Sequence, residues 1–144
     1  MAHYEVTISS PLSQQEAFDR LAPVERFVEW DAGITKAEQV EGEGPGVGAT
    51  YILTIKGFNG GPMPLKYKTT AFDAPDRFVI VSDGKSLRSD DVITVVADGD
   101  GCQVTYAADL KMKGKLSVIN PALGLVFKRI GDKAVAGLRP FLDA

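Results

Sequence analysis

Residues 87–112 read LRSDDVITVVADGDGCQVTYAADLKM. Two alternating runs flank Asp98-Gly99-Asp100-Gly101, the clearest hairpin turn in the chain, because glycine supplies the positive φ that a tight link between antiparallel strands needs. After the turn, Val104, Tyr106, Ala108, Leu110 and Met112 oppose Gln103, Thr105, Asp109 and Lys111, so one sheet face is dry and the other wet. Before it, the strand Leu87 to Ala97 admits two phases, which a one-residue slip exchanges. In the preferred phase Leu87, Ser89, Asp91, Ile93 and Val95 face inward, and Asp91 is a lone inward carboxylate that could act as a general base when desolvated. In the other, Arg88, Asp90, Val92, Thr94 and Val96 face inward, burying an Arg88–Asp90 pair able to orient a polar ligand group.

Toward the N-terminus the same strand texture continues. His3 to Ser9 alternates Tyr4, Val6 and Ile8 with Glu5 and Thr7. Ser10-Pro11 then reads as the start of a short helix, with Ser10 as N-cap and Leu12, Ala17, Phe18 and Leu21 as its apolar stripe. Pro23 ends it, and Val24 to Trp30 reads as a second short helix. Ile34 to Glu41, Ala49 to Lys56, Leu65 to Phe72 and Arg77 to Ser82 read as strands. Between them lie the glycine-rich turn Gly42 to Gly48, a loop from Gly57 to Pro64 and the turn Asp73 to Asp76. Gly44-Pro45-Gly46-Val47-Gly48-Ala49 approaches a dinucleotide fingerprint, but strands stand on both sides where that motif needs a following helix.

Toward the C-terminus, Leu116, Ile119, Leu123, Val126, Phe127, Ile130, Ala134, Leu138 and Phe141 recur at helical spacing. Asn120-Pro121 marks a start or a kink, and Pro140 stands near the end. Gly124, Gly131 and Gly137 each cost such a helix about 1 kcal/mol relative to alanine, which indicates close packing or needed space. The order predicts an α+β domain spanning residues 1–144: a curved antiparallel sheet of about seven strands, two short helices after strand 1, and one long C-terminal helix covering the dry face. A space between sheet and helix is where a small ligand would bind.

Composition narrows the function. The chain has 144 residues, 44% hydrophobic and 24% charged, which fits one globular domain. No apolar run reaches the ~20 residues of a membrane helix, and the N-terminus lacks a secretory signal, so a cytoplasmic location is expected. The single cysteine, Cys102, excludes a disulfide framework, and the single histidine, His3, leaves too few imidazoles for a histidine metal site or a conventional triad. No metal and no cofactor are expected. Residues 1–50 carry nine acids against Arg20, Arg26 and Lys36, whereas residues 111–144 carry seven bases against Asp132 and Asp143. That basic segment coats an exposed helix face or makes weak contact with an anionic surface. Nucleic-acid binding does not fit an acidic chain without an aromatic-studded basic stripe.

Several stretches together resemble the START-like helix-grip (SRPBCC) superfamily, in its polyketide cyclase/dehydrase and lipid-transport branch. They are Val6-Thr7-Ile8-Ser9-Ser10-Pro11 followed by Ala17-Phe18, Phe27-Val28-Glu29-Trp30, Gly46-Val47-Gly48-Ala49-Thr50-Tyr51 and Asp73-Ala74-Pro75-Asp76-Arg77-Phe78. Asp98-Gly99-Asp100-Gly101-Cys102-Gln103-Val104-Thr105-Tyr106 and the closing Lys128-Arg129 with Asp132-Lys133-Ala134 complete them. The family's turn before Val104 usually reads Gly-Thr, and Cys102 stands where that threonine would be. The resemblance implies a hydrophobic cavity holding a lipid, polyketide-like or other apolar molecule. A monomer or homodimer is expected.

The resemblance also raises ordinary core residues to cavity candidates: Leu53, Ile55, Leu65, Phe78, Ile80, Leu110, Val126, Phe127 and Ile130. Trp30 is a core plug or a wall of the cavity mouth, and Tyr51, Tyr67 and Tyr106 are core or ligand contacts whose hydroxyls need partners. Three functions are compatible. One is a carrier of an apolar molecule. Another is a cyclase or dehydratase moving a proton with Asp90, Asp91 or a tyrosine, with Arg88 or Tyr106 polarising a carbonyl. The third is an interaction module using the acidic N-terminal portion or the basic helix. Inward polar residues facing a closed cavity favour the enzyme.

Overall fold

The computed structural model describes residues 2–57 and 60–143. Seven antiparallel strands form one sheet: β1 Ala2–Ser10, β2 Ile34–Glu41, β3 Thr50–Lys56, β4 Pro62–Asp73, β5 Arg77–Asp83, β6 Leu87–Asp98 and β7 Gly101–Met112. Their order, β1-β7-β6-β5-β4-β3-β2, is a meander from β2 to β7 with β1 returning to the edge of β7. Helix α1 (Gln14–Leu21) and a 3-10 helix (Val24–Glu29) follow β1, and helix α2 (Asn120–Asp143) closes the chain after a 3-10 turn at Gly114–Ile119. This is the expected α+β architecture, a curved sheet gripping a long helix. Among the described residues no helix is long and apolar enough to cross a membrane.

The β6–β7 hairpin pairs Asp98 with Gly101, leaving Gly99 and Asp100 as the turn, and Gly99 takes φ +59°. Burial along β6 follows the preferred phase: Leu87, Ser89, Asp91, Ile93 and Val95 are buried. Arg88 and Asp90 therefore stand on the outer face, where Arg88 Nε and Nη2 donate to the two Asp90 oxygens at 2.8 and 3.1 Å. Outside, water screens the pair, whereas the opposite phase would desolvate both charges and expose Leu87, Ile93 and Val95.

Several boundaries differ from the sequence reading, most by a single residue. Helix α1 begins three residues later than expected, because Ser13 is its N-cap: Ser13 Oγ accepts from Glu16 N at 3.2 Å and donates to Glu16 Oε1 at 3.0 Å. Ser10 instead ends β1 and donates to the Leu142 carbonyl at 2.6 Å, fastening the strand to the end of α2. Strand β4 starts at Pro62, inside the expected Gly57 to Pro64 loop, because Met63 and Pro64 pair with Ile55 and Thr54 of β3; Phe58 and Asn59 of that loop lie outside the described residues.

Helix α2 packs along β1 and is anchored unevenly. At its start, Asn120 bridges the backbone of Met112, its Nδ2 donating to the carbonyl at 3.2 Å and its Oδ1 accepting from the N–H at 3.0 Å. Toward its end, a Cβ at Gly137 would overlap the Trp30 carbonyl, and one at Gly131 would fall on the Tyr4 ring. Those two glycines serve close packing, whereas Gly124 faces open space.

The buried side chains form two clusters. The larger joins Ile8, Phe18, Leu21, Phe27, Trp30, Tyr51, Phe78, Ile80 and Leu138 beneath α1, the Val24–Glu29 turn and the second half of α2. The smaller joins Ala2, Leu87, Met112 and Leu123, with Met63, Leu65, Leu110 and Phe127 packed on it.

Candidate functional site

Between the two clusters the side chains fail to meet, and a cavity of about 150 Å³ remains between the sheet and α2. Alternate residues on successive strands wall it, as the pleat requires: Leu53 and Ile55 of β3, Leu65 and Tyr67 of β4, Ser89 and Asp91 of β6, Tyr106, Ala108 and Leu110 of β7. Phe27 and Asp31 close one end, and Leu123, Val126, Phe127 and Ile130 of α2 form the roof. Val126 and Ile130 are also 47% exposed, so the roof is one side chain thick.

Nine of the residues expected in a cavity line it: Leu53, Ile55, Leu65, Tyr67, Tyr106, Leu110, Val126, Phe127 and Ile130. Trp30, Tyr51, Phe78 and Ile80 instead belong to the larger core cluster. Trp30 stands behind Tyr106, its ring edge-on to that tyrosine at 5.9 Å and tilted on Phe27 at 4.7 Å. Phe78 is held by Phe18 and Phe72 with ring centroids at 5.6 and 6.4 Å, which a bulge between Thr69 and Ala71 allows by bringing Phe72 to the inner face. Tyr51 is wholly buried, and that burial, with the Glu25 charge nearby, pushes its phenol up to about 12. Arg88 and Asp90 border the outer face and do not reach the cavity.

The described wall is apolar apart from Lys56 at the end of β3, Asp31, and one connected group centred on Asp91. Asp91 is 6% exposed, and it pairs across β7 with Ala108, which puts Tyr106 diagonally beside it on the same face. Tyr106 donates its hydroxyl to Asp91 Oδ2 at 2.5 Å, and Ser89 donates to Oδ1 at 2.9 Å. Tyr67 of β4 lines the same space, and the Asp91 charge reaches its phenol. Asp31 faces the same space, with Oδ1 held by the Gly33 N–H at 2.9 Å.

Burial dominates the electrostatics of this group. It pushes the Asp91 carboxyl up to about 6, although its two hydroxyl donors pull the other way; the nearby Asp31 and Asp90 charges add to the rise. Burial raises Asp31 as well, against the Gly33 hydrogen bond. It holds the Tyr67 and Tyr106 phenols protonated, with the Asp91 charge reinforcing it. The arrangement can hold a polar ligand group, and it can take up a proton near neutral pH.

Asp31 and Ser89 are absent from the sequence-derived site candidates. Ser89 is implicit in the inward phase of β6. Asp31 lies in the unassigned gap between the second short helix and β2, and its N–H donates to the Phe27 carbonyl at 2.8 Å, a helical i, i+4 relation. That spacing puts Asp31 on the same side as Phe27, a signal present in the sequence.

Elsewhere, His3 is exposed, hydrogen-bonded through Nδ1 to Asp109 at 2.7 Å, and raised by that contact. Cys102 is buried opposite Ser10, and burial raises its thiol. Neither touches the cavity.

A family model described as polyketide cyclase / dehydrase and lipid transport matches residues 1–143. The sequence matches no curated protein at a significant level. Among solved structures, a START superfamily protein from Mycobacterium smegmatis superposes with a TM-score of 0.74 at 11% identity, over 99% of this chain and 95% of that one. A protein from Thermus thermophilus gives 0.78 at 12%, over 97% and 96%. The di-domain ARO/CYC StfQ of the steffimycin biosynthetic pathway gives 0.70 at 9%, over 98% of this chain and 50% of that one. At such identities the likeness speaks for the fold alone.

Proposed function

The chain belongs to the polyketide cyclase / dehydrase and lipid transport family, and from that premise we propose that it binds a small apolar molecule in the cavity between sheet and α2, as a carrier or sequestering protein. The observation that carries this is the apolar-walled space of about 150 Å³ with Asp91 and Tyr106 at one place on its wall. Its size sets the ligand. A cavity of about 150 Å³ suits a body of roughly one aromatic ring, whereas pockets for larger ligands run to roughly 300–1,000 Å³. A longer polyketide or acyl chain would have to lift the roof, where Leu125 is already 67% exposed and Val126 and Ile130 are half out. The exposed Leu116 and Val118 beside Lys115, with Leu125 beside Arg129, support weak contact of that same face with an anionic surface.

Native mass spectrometry of protein purified from its own host, with organic extraction, tests the reading. A small apolar molecule recovered unchanged supports it. Binding should weaken in Phe127→Ala and Tyr106→Ala and stay put in Lys133→Ala, and equal affinities in all three would sink the cavity assignment.

One observation favours a second reading, acid–base catalysis. Asp91 is buried, hydrogen-bonded by Tyr106 and titrates near 6, so its carboxylate can accept a proton from a bound substrate at neutral pH. Under that reading, Asp91→Asn keeps binding and loses turnover, and retained turnover removes Asp91 from the chemistry.

A further inference from the structure

We propose that the cavity selects ligands bearing a cationic nitrogen, an ammonium group on a ring-sized apolar body. The proposal rests on the binding reading above and adds the class of ligand.

The charge inventory of the cavity points there. Among the described residues, its lining contains two carboxylates, Asp31 and Asp91, and one ammonium, Lys56. Lys56 is the last residue of β3 and is exposed. The four α2 residues of the roof, Leu123, Val126, Phe127 and Ile130, carry no charge. Asp91, the more deeply buried carboxylate, is held by two hydroxyls, neither of which brings a positive charge. Arg88 of the same strand stands on the opposite, outer face, paired with Asp90 and Asp83. A desolvated carboxylate commonly has a cation against it, because removing it from water is so unfavourable. Here the protein supplies hydroxyls and a second carboxylate instead.

An ammonium group completes that set. It offers three N–H donors, so it can serve several of the oxygens in the lining at once. The Tyr67, Tyr106 and Phe27 rings in the same lining add the attraction of aromatic faces for a cation. A carboxylate-bearing ligand would meet two like charges in a dry space. A neutral hydroxyl ligand would gain one hydrogen bond and leave the charge unanswered.

The preference depends on pH. The groups facing Asp91 are Tyr106 on β7, Tyr67 on β4 and Asp31 beyond the Val24–Glu29 turn; Asp90 acts from its own strand, and Lys56 stands at the end of β3. With Asp91 titrating near 6, the site carries the Asp91 charge at pH 7.5 and has lost most of it at pH 5.

Isothermal titration of the whole protein with benzylamine, benzyl alcohol and benzoate tests this, since the amine is protonated at both pH values. At pH 7.5 benzylamine should bind at least tenfold tighter than benzyl alcohol, and benzoate weakest. The benzylamine advantage should shrink severalfold at pH 5. Asp91→Asn should reduce the benzylamine to benzyl alcohol ratio severalfold, and Asp31→Asn, in the turn at the cavity's end, gives the same test should Asp91→Asn fold poorly. Benzyl alcohol or benzoate binding as tightly as benzylamine overturns the charge preference and leaves the cavity reading standing. Binding of none of the three overturns both.

Discussion

Tyr106 and Asp91, on neighbouring strands and diagonal in register, share a hydrogen bond of 2.5 Å whose acceptor is almost wholly buried. The donor stabilises the charged form of a carboxylate that burial disfavours. In Tyr106→Phe that support is gone, so the Asp91 carboxyl should titrate higher still. Unfolding in urea at pH 8 should show a loss of about 1–3 kcal/mol, the range for stripping one partner from a buried polar group. At pH 5 the loss should be smaller, because Asp91 then carries its own proton. An equal loss at both pH values would mean that the tyrosine contributes packing alone.

Asp91 also sets the direction of a pH dependence. Its carboxyl titrates near 6 in the native protein and near 3.8 when unperturbed. Between those values the folded state holds the extra proton. Its contribution is therefore fully present below about 4 and is lost as pH rises through 6. The span is on the order of 3 kcal/mol at about 1.4 kcal/mol per pH unit. Subtracting the stability of Asp91→Asn from that of the unsubstituted protein across the range from acid to neutral pH isolates it, and a flat difference refutes the shift.

Core and cavity residues should separate by phenotype. Phe78 is buried among Phe18 and Phe72 away from the cavity, so Phe78→Ala should cost about 3–5 kcal/mol and leave ligand preference unchanged. Phe127, half-buried in the roof, should cost less on truncation and alter binding more. Denaturation and probe titration on the two variants check this together.

The helix glycines should part in the same way. Gly124→Ala places a methyl in open space and should stabilise by up to about 1 kcal/mol, the propensity difference. Gly137→Ala gains the same propensity but drives a methyl into the Trp30 backbone carbonyl, which cannot swing aside as a side chain can, and a net loss of a few kcal/mol should follow. Thermal midpoints of the two variants should move in opposite directions.

Much of this was legible in the residues themselves. The alternation after Asp98-Gly99-Asp100-Gly101 and the helical spacing from Leu116 to Phe141 carry the sheet and its covering helix, because both periods report which side is dry. Local chemistry moved the α1 boundary: Ser10-Pro11 and Ser13-x-x-Glu16 are both helix-start signals, and only Ser13 has a carboxylate partner three residues on. The membership of the cavity was less legible. Phe78, Ile80 and Tyr51 have the same inward phase as Leu65 and Tyr67, and what divides them is which helix lies overhead, a long-range fact that strand alternation does not encode. Asp31 falls between the short helix ending at Trp30 and the strand from Ile34, a gap the periodicity leaves unassigned, although its i, i+4 relation to Phe27 points it inward.

The uneven anchoring of α2 bears on exchange kinetics. From its middle onward the helix is pinned by Tyr4 at Gly131, by Trp30 at Gly137 and by Ser10 at the Leu142 carbonyl, while the stretch over the cavity is held by Asn120 at the Met112 backbone and rests on Leu123 and Phe127. Among the described residues, fewer are buried in its first half than in the second, where Ala134, Val135, Leu138 and Leu142 are all buried, so the first half is the easier to open. The rate at which molecules enter should therefore be set by the helix, nearly the same for every occupant of similar size, and differences in affinity should be recorded in residence time.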